Sequence, residues 1–313
     1  MPELGALTTL RLALTSRAAA GASYCAAGTD APAGQLSREE IRRLAAAVAQ
    51  LGFRRIRLTA EPRQRSDLTG IVADLLAIPG VEEVGLSTSG DLLDALAPSL
   101  RSAGLSRLAV RLDTLQSGKL AELAGRSAAL WRILRGFDAA AAAGFPRLSA
   151  VTVVRRGRND DELGALVRYA WRRRATARLI EARPSARATP VSAAEMREAL
   201  LAQGVRLRDE EGGWGPRRHA SGESEDEAGA CAGAMELVSL PDPAAPPCPR
   251  CNRIRIGPDG AVRPCAGGRR EVPLRDLLQR DPPSSVRIRA RLVVATSPAR
   301  RRRQGPTASP PSP

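Results

Sequence analysis

Arg54-Arg55-Ile56-Arg57-Leu58-Thr59, a helical run at 66–78, and then Val84-Gly85-Leu86-Ser87-Thr88-Ser89 form one strand–helix–strand unit, and the pattern recurs as far as about residue 204. Strands are predicted at 10–15, 54–59, 84–89, 107–113, 149–155 and 177–182. Helices are predicted at 37–51, 66–78, 90–103, 127–143, 160–175 and 192–203. Ser37 with Glu40 three residues on reads as a capping box, and Asp160-Asp161 as the acidic first turn of a helix. Six βα units in succession predict an α/β fold, with a parallel sheet curved into a partial (β/α)6 TIM-like barrel over residues 1–205. In such a fold the strand-to-helix loops converge on one face, and the chemistry collects there.

Residues 206–296 change character. They are rich in Gly, Glu, Ser and Pro as far as 247, with one strand predicted at 234–240 and a short helix beginning near Leu274. The segment reads as a C-terminal metal-binding extension because of Cys248-Pro249-Arg250-Cys251, followed after thirteen residues by Cys265. Two thiolates share one turn, and Pro258-Asp259-Gly260 predicts the hairpin that returns a third. Three thiolates leave one coordination position open, which suits a four-iron cluster with one iron free for a ligand. A closed zinc site asks for a fourth protein donor, here Cys231 or His219. Spacing alone leaves both readings open. Arg253 and Arg255 follow at alternate positions, so on an extended segment they face one side and can receive an anion. Residues 297–313, with Arg300-Arg301-Arg302-Arg303 and then Pro and Ser, read as a disordered basic tail.

The net charge of +15 invites a nucleic-acid reading, but Lys119 is the only lysine. Arginine in place of lysine, with abundant Ala and Gly, follows from a GC-rich coding bias without any ligand. Aromatic residues make up 3% of the chain and none is interleaved with the basic runs, which argues against a single-strand stacking platform. Five cysteines, no secretory leader and no apolar run of membrane-spanning length predict a reduced, cytoplasmic protein with no membrane partner. Oligomeric state is not legible.

Several strand ends resemble the radical S-adenosylmethionine GTP 3′,8-cyclase family of molybdenum cofactor biosynthesis. They are Arg57-Leu58-Thr59 with Glu61-Pro62, Leu112-Asp113-Thr114-Leu115, Val153-Val154 with Gly157, Asn159-Asp160-Asp161, and Ile180-Glu181. The hairpin Cys248-x2-Cys251-Asn252-Arg253-x-Arg255 with Cys265 is the strongest match. The resemblance implies a 4Fe–4S cluster on Cys248, Cys251 and Cys265 whose open iron contacts GTP, and it favours iron–sulfur over zinc. It also implies a nucleotide site at Arg11, Arg57, Ser87, Arg253 and Arg255.

The chain departs from the family at the other cofactor. Three cysteines spaced Cys-x3-Cys-x2-Cys are expected after the first strand; here those positions are Ala18, Ala22 and Cys25. A methyl group does not ligate iron, and Cys25 alone is a remnant. Around the S-adenosylmethionine site implied by the resemblance stand Tyr24, Ala60, Arg111 and Arg183. Ala60 takes the place of a two-glycine turn, Arg111 of a serine and Arg183 of a methionine, and Ser149 replaces a lysine on the nucleotide side. Two guanidinium groups oppose a cationic sulfonium by size and by charge. The expectation is a degenerate member with one cluster and an anionic site for GTP or a related nucleotide, impaired in S-adenosylmethionine binding and cleavage. Two alternatives stand beside it, an active cyclase with unusual cluster ligation and a zinc-stabilised nucleic-acid-binding protein.

Overall fold

The computed structural model describes residues 8–15, 34–124, 129–183, 189–210, 217–239, 252–263, 271–279 and 284–296. Six strands, β1 (Thr9–Ala13), β2 (Arg55–Thr59), β3 (Glu83–Thr88), β4 (Arg107–Arg111), β5 (Arg147–Val154) and β6 (Thr176–Glu181), lie side by side in chain order and all run parallel. Helices α1 (Arg38–Gln50), α2 (Leu68–Leu76), α3 (Leu93–Ser102), α4 (Ser117–Ala124), α5 (Leu130–Ala142) and α6 (Leu163–Arg172) connect them, and α7 (Ala193–Ala202) follows β6. The alternation within each strand explains the layering. Leu10, Leu12, Ile56, Leu58, Val84, Leu86, Leu108 and Val110 are buried and join Ile41, Leu44, Ile71, Leu75 and Phe137 of the helices in one core. The residues between them, Arg11, Arg57, Ser87 and Ala109, face the opposite, concave side of the sheet.

Of the start signals, Ser37 acts as the sequence suggests, while Asp160-Asp161 lie in a 3-10 turn ahead of α6 rather than in its first turn. Ser37 Oγ accepts the Glu40 amide at 3.1 Å and Glu40 accepts the Ser37 amide at 2.8 Å, and Ser192 and Glu195 form the same capping box before α7. The helix expected at 127–143 is α5, and α4 stands before it as a helix that was not expected. The opening Ser117-Gly118-Lys119 favours helix weakly and eight residues are too few to show an apolar period. Lys119 anchors α4 from outside by donating to Asp161.

After α7 come β7 (Val205–Glu210), β8 (Arg217–Asp226), β9 (Gly229–Val238), β10 (Arg253–Ile256), β11 (Ala261–Arg263) and β12 (Val272–Pro273), then α8 (Arg275–Leu278) and α9 (Ser285–Thr296). All six strands extend the same sheet, giving the order β12-β11-β10-β1-β2-β3-β4-β5-β6-β9-β8-β7. β9 pairs parallel with β6, and β10 pairs parallel with β1. Where one strand was expected within 206–247 there are three. Ser221-Gly222-Glu223-Ser224-Glu225-Asp226 shows no apolar alternation, and it becomes strand through packing. Gly222 and Gly233 are paired across β8 and β9 and form a flat trough for the Trp171 indole of α6. A Cβ added to Gly222 would stand 2.7 Å from the indole and one on Gly233 2.4 Å. Trp171 Nε1 donates to Ala234 O at 2.9 Å.

The sheet is curled. Arg217 on β8 and Arg253 on β10 lie eight strand spacings apart in the sheet order, which on a flat sheet is about 38 Å and far beyond the range of charge interaction. Yet burial, the neighbouring charge of Arg178 and then those of Arg253 and Arg107 lower the Arg217 pKa to about 10. Only a barrel-like closure brings these groups together, so the fold is a partial TIM-like barrel.

Candidate functional site

The concave face carries an arginine row. Arg255, Arg11 and Arg57 are direct register partners across β10, β1 and β2. Ser87 lies one pleat further along, in register with Thr59 of β2. Arg253 precedes Arg255 with Ile254 buried between them, so both arginines face the same side, as their alternate spacing predicts. The hairpin is also where the sequence puts it. Gly257 N donates to Ala261 O at 2.8 Å, Asp259 Oδ1 accepts the Ala261 amide at 3.1 Å, and Gly260 adopts φ +79°, which favours glycine.

Neither Arg57 nor its neighbours are solvated strand-end charges. Glu83, at the start of β3, receives Arg57 at 2.8 Å, Arg107 at 3.1 Å and Arg147 at 3.3 Å. On the other side of the barrel Arg178 forks onto Glu236 of β9, with Nε at 2.7 Å from Oε2 and Nη2 at 3.1 Å from Oε1. Arg217 reaches the same carboxylate at 3.5 Å. Ala109, Val151, Ile180 and Val238 form an apolar patch on the same face. Glu83, Arg107, Arg178, Arg217 and Glu236 are absent from the sequence-derived site. Arg178 and Glu236 are each held between two core positions of a strand, as in Ala177-Arg178-Leu179 and Met235-Glu236-Leu237, whereas Glu83, Arg107 and Arg217 are the first residues of β3, β4 and β8.

Burial pushes the carboxyls of Glu83 and Glu236 up. Arg57 and Arg107 outweigh it at Glu83, as do Arg178 and Arg217 at Glu236, so both stay below the ordinary 4.5. A carboxyl depressed in the folded state contributes stability that is present above its unfolded pKa and is lost as pH falls through its folded pKa. The urea midpoint is therefore expected to hold near neutrality and drop below about pH 4.5, with a shallower drop in a Glu83→Gln, Glu236→Gln double variant. Equal slopes in the two proteins would remove these carboxylates from the acid transition.

At the carboxyl ends of the strands, Arg111 is paired with Asp113, whose Oδ1 accepts the Val153 amide at 2.9 Å. Asn159 is fully buried; its Nδ2 donates to Asp113 O at 2.8 Å and to Val153 O at 3.1 Å, and its Oδ1 accepts the Arg155 amide at 2.8 Å. Glu162 accepts Thr114 Oγ1 at 2.6 Å and the Leu115 amide at 3.0 Å. The motifs Leu112-Asp113-Thr114-Leu115 and Asn159-Asp160-Asp161 thus serve as latches between the ends of β4 and β5. Glu61 accepts the Ser89 hydroxyl at 2.5 Å. Ala60 is buried against the core, donates its amide to Ser87 O at 3.1 Å and has no positive φ. Arg183 Nε is buried without a hydrogen-bond partner among the described residues.

Cys25, Tyr24, Ala18, Ala22, Cys248, Cys251, Cys265 and the 297–313 tail lie outside the described residues. His219 on β8 is in register with Glu236, and Cys231 on β9, partly buried against the core, with Ser224. Among the described residues no three His, Cys, Asp or Glu side chains group as a metal site, and no helix is long and apolar enough to cross a membrane.

The Radical SAM superfamily matches residues 20–170. The GTP 3′,8-cyclase of Ectopseudomonas mendocina is 33% identical, over 92% of this chain and 88% of that protein. The GTP 3′,8-cyclase of Rhodopirellula baltica is 35% identical, over 86% and 77%. The chain belongs to the GTP 3′,8-cyclase family. The fold agrees with that membership of the radical S-adenosylmethionine proteins. The crystal structure of Streptococcus suis SuiB bound to S-adenosylmethionine superposes with a TM-score of 0.59 over 91% of this chain and 68% of that one, at 13% identity.

Family membership implies iron–sulfur clusters, and the donor set decides which of them the residues fit. Cys248, Cys251 and Cys265 are three thiolates of the kind that hold one cluster. Two such sites need six cysteines, and the chain has five, one of them Cys231 on β9. The donors after β1 do not fit a second cluster.

Proposed function

We propose that this GTP 3′,8-cyclase family protein keeps the C-terminal cluster and the anionic nucleotide site of the molybdenum cofactor enzymes but does not cleave S-adenosylmethionine. The cysteine count carries the reading, since Ala18 and Ala22 supply no ligand beside Cys25. The partner is GTP or a related nucleotide. Arg11, Arg57, Arg253 and Arg255 bind it with their guanidinium groups facing the phosphate oxygens, and Ser87 adds a hydroxyl. Cys248, Cys251 and Cys265 hold one 4Fe–4S cluster, which supplies an iron with an open position for a ligand. The compartment is the cytoplasm. In the degenerate cofactor pocket, beside Tyr24 and Ala60, Arg111 and Arg183 put bulky guanidinium groups where the resemblance implies a serine and a methionine. Residues 1–205 form the barrel unit, 206–296 the extension that carries the cluster, and 297–313 the tail.

Anaerobic reconstitution is expected to give about four irons and four sulfides per chain. GTP is expected to bind, and to bind at least about tenfold more weakly in an Arg253→Ala, Arg255→Ala double variant, because charge-assisted contacts of this kind contribute about 1.5–3 kcal/mol each. About eight irons with release of 5′-deoxyadenosine would establish the active cyclase instead. Zinc in place of iron, with polynucleotide affinity falling steeply in salt, would establish the zinc-stabilised nucleic-acid binder.

A further inference from the structure

Five guanidinium groups in the barrel interior and on its rim are held by two carboxylates. Glu83 takes Arg57, Arg107 and Arg147, and Glu236 takes Arg178 and Arg217. The carboxylates are the less exposed partners, at 14% for Glu83 and 11% for Glu236. A carboxylate and a phosphate present the same pair of oxygens to a guanidinium fork, so one displaces the other from it. The forked Arg178–Glu236 pair therefore holds the donors a phosphate would use, and the Glu83 pair does the same on the Arg57 side.

We propose that Glu83 and Glu236 are internal competitors for a polyphosphate in the barrel, setting the affinity of the site by occupying its arginines when no ligand is bound. The proposal rests on the nucleotide reading above and adds what that reading lacks, residues that oppose binding. The excess of five cations over two anions leaves net positive charge for the ligand to neutralise. Arg217 feels that excess, since its pKa falls through burial and the charge of Arg178 even though Glu236 lies alongside. When a phosphate enters, the arginines exchange one oxyanion for another and the displaced carboxylate must find solvent or another cation. That exchange weakens binding relative to a barrel in which glutamine stands at the same place.

The test is titration of inorganic tripolyphosphate into the full chain, purified anaerobically. Glu236→Gln and Glu83→Gln are each expected to bind it about tenfold tighter than the parent, because removing the competing charge frees a fork without changing its shape. Glu39→Gln makes the same change in net charge on the outer face of α1 and is expected to leave affinity unchanged. Adding Arg178→Gln to Glu236→Gln is expected to return affinity toward that of the parent. Each glutamine variant is expected to unfold earlier without ligand and to gain more in melting temperature from tripolyphosphate, a linkage a merely structural carboxylate would not produce. Equal or weaker binding in both variants beside a binding parent overturns the proposal, as does an equal gain in Glu39→Gln. Tripolyphosphate binding by no variant at all overturns the nucleotide reading and this proposal with it.

Discussion

Ala18→Cys with Ala22→Cys is expected to raise iron from about four to about eight per chain and still release no 5′-deoxyadenosine. With Cys25 the two substitutions complete the spacing Cys-x3-Cys-x2-Cys, so a second three-thiolate donor set exists and iron content rises. The pocket proposed for the sulfonium nevertheless differs from the one the family resemblance implies, at residues the cysteines do not touch. Arg111 is locked by Asp113 at the end of β4 with only 11% of its side chain exposed. Arg183, just after β6, carries a buried Nε with no hydrogen-bond partner among the described residues. Ala60 packs its methyl group into the core, so the short turn before Glu61 relaxes without the open backbone that glycines provide. Cluster assembly and cofactor cleavage therefore separate. Cleavage is expected only after Arg111→Ser, Arg183→Met and a glycine pair before Glu61 are added. Release of 5′-deoxyadenosine by the two cysteines alone would confine the decay to the ligands and clear Arg111 and Arg183 of any part in it.

The largest stability effect is expected at Asn159. Its amide donates to the carbonyls of Asp113 and Val153 and accepts from the Arg155 amide, all in a place closed to water. Asn159→Ala removes three hydrogen bonds at once and strands buried backbone groups, which costs about 3–5 kcal/mol. Chemical denaturation measures the loss directly. Asn159→Asp keeps one acceptor but turns a carboxylate oxygen onto the two carbonyls in a place closed to water, so near neutral pH it is expected to lose at least as much as alanine. A loss below about 1 kcal/mol for alanine would mean that water replaces the side chain. The variant also tests the site, because Asp113, which pairs with Arg111, is held from the same carbonyl.

The barrel was legible because its six strands carry apolar positions at regular spacing between helical runs, two of which, α1 and α7, open on capping boxes at Ser37 and Ser192. The Pro258-Asp259-Gly260 turn was legible because only a few turn chemistries suit those residues. β7 and β8 were not, since their polar stretch becomes strand by tertiary contact, with Trp171 seated on Gly222 and Gly233. At the site, the facing of Arg253 and Arg255 followed from alternation alone. The adjacency of Arg255, Arg11 and Arg57 did not, because nothing local says that β10 pairs with β1. Glu83 and Glu236 were missed for a related reason. A lone glutamate in a strand is ordinary until the register shows which arginines face it.

That pairing of β10 with β1 has a consequence for the order of assembly. Thr9 and Arg253 sit opposite each other in the sheet but lie far apart in the chain, so β1 is made long before β10. Until β10 is made, β1 has β2 on one side and an unpaired edge on the other, open to neighbouring chains. Arg11 and Arg57 are side by side early, whereas Arg255 joins them only when the C-terminal hairpin docks. The three-arginine row is thus complete only once β10 has docked, and a fragment that stops before residue 252 carries two of its members beside an open strand edge.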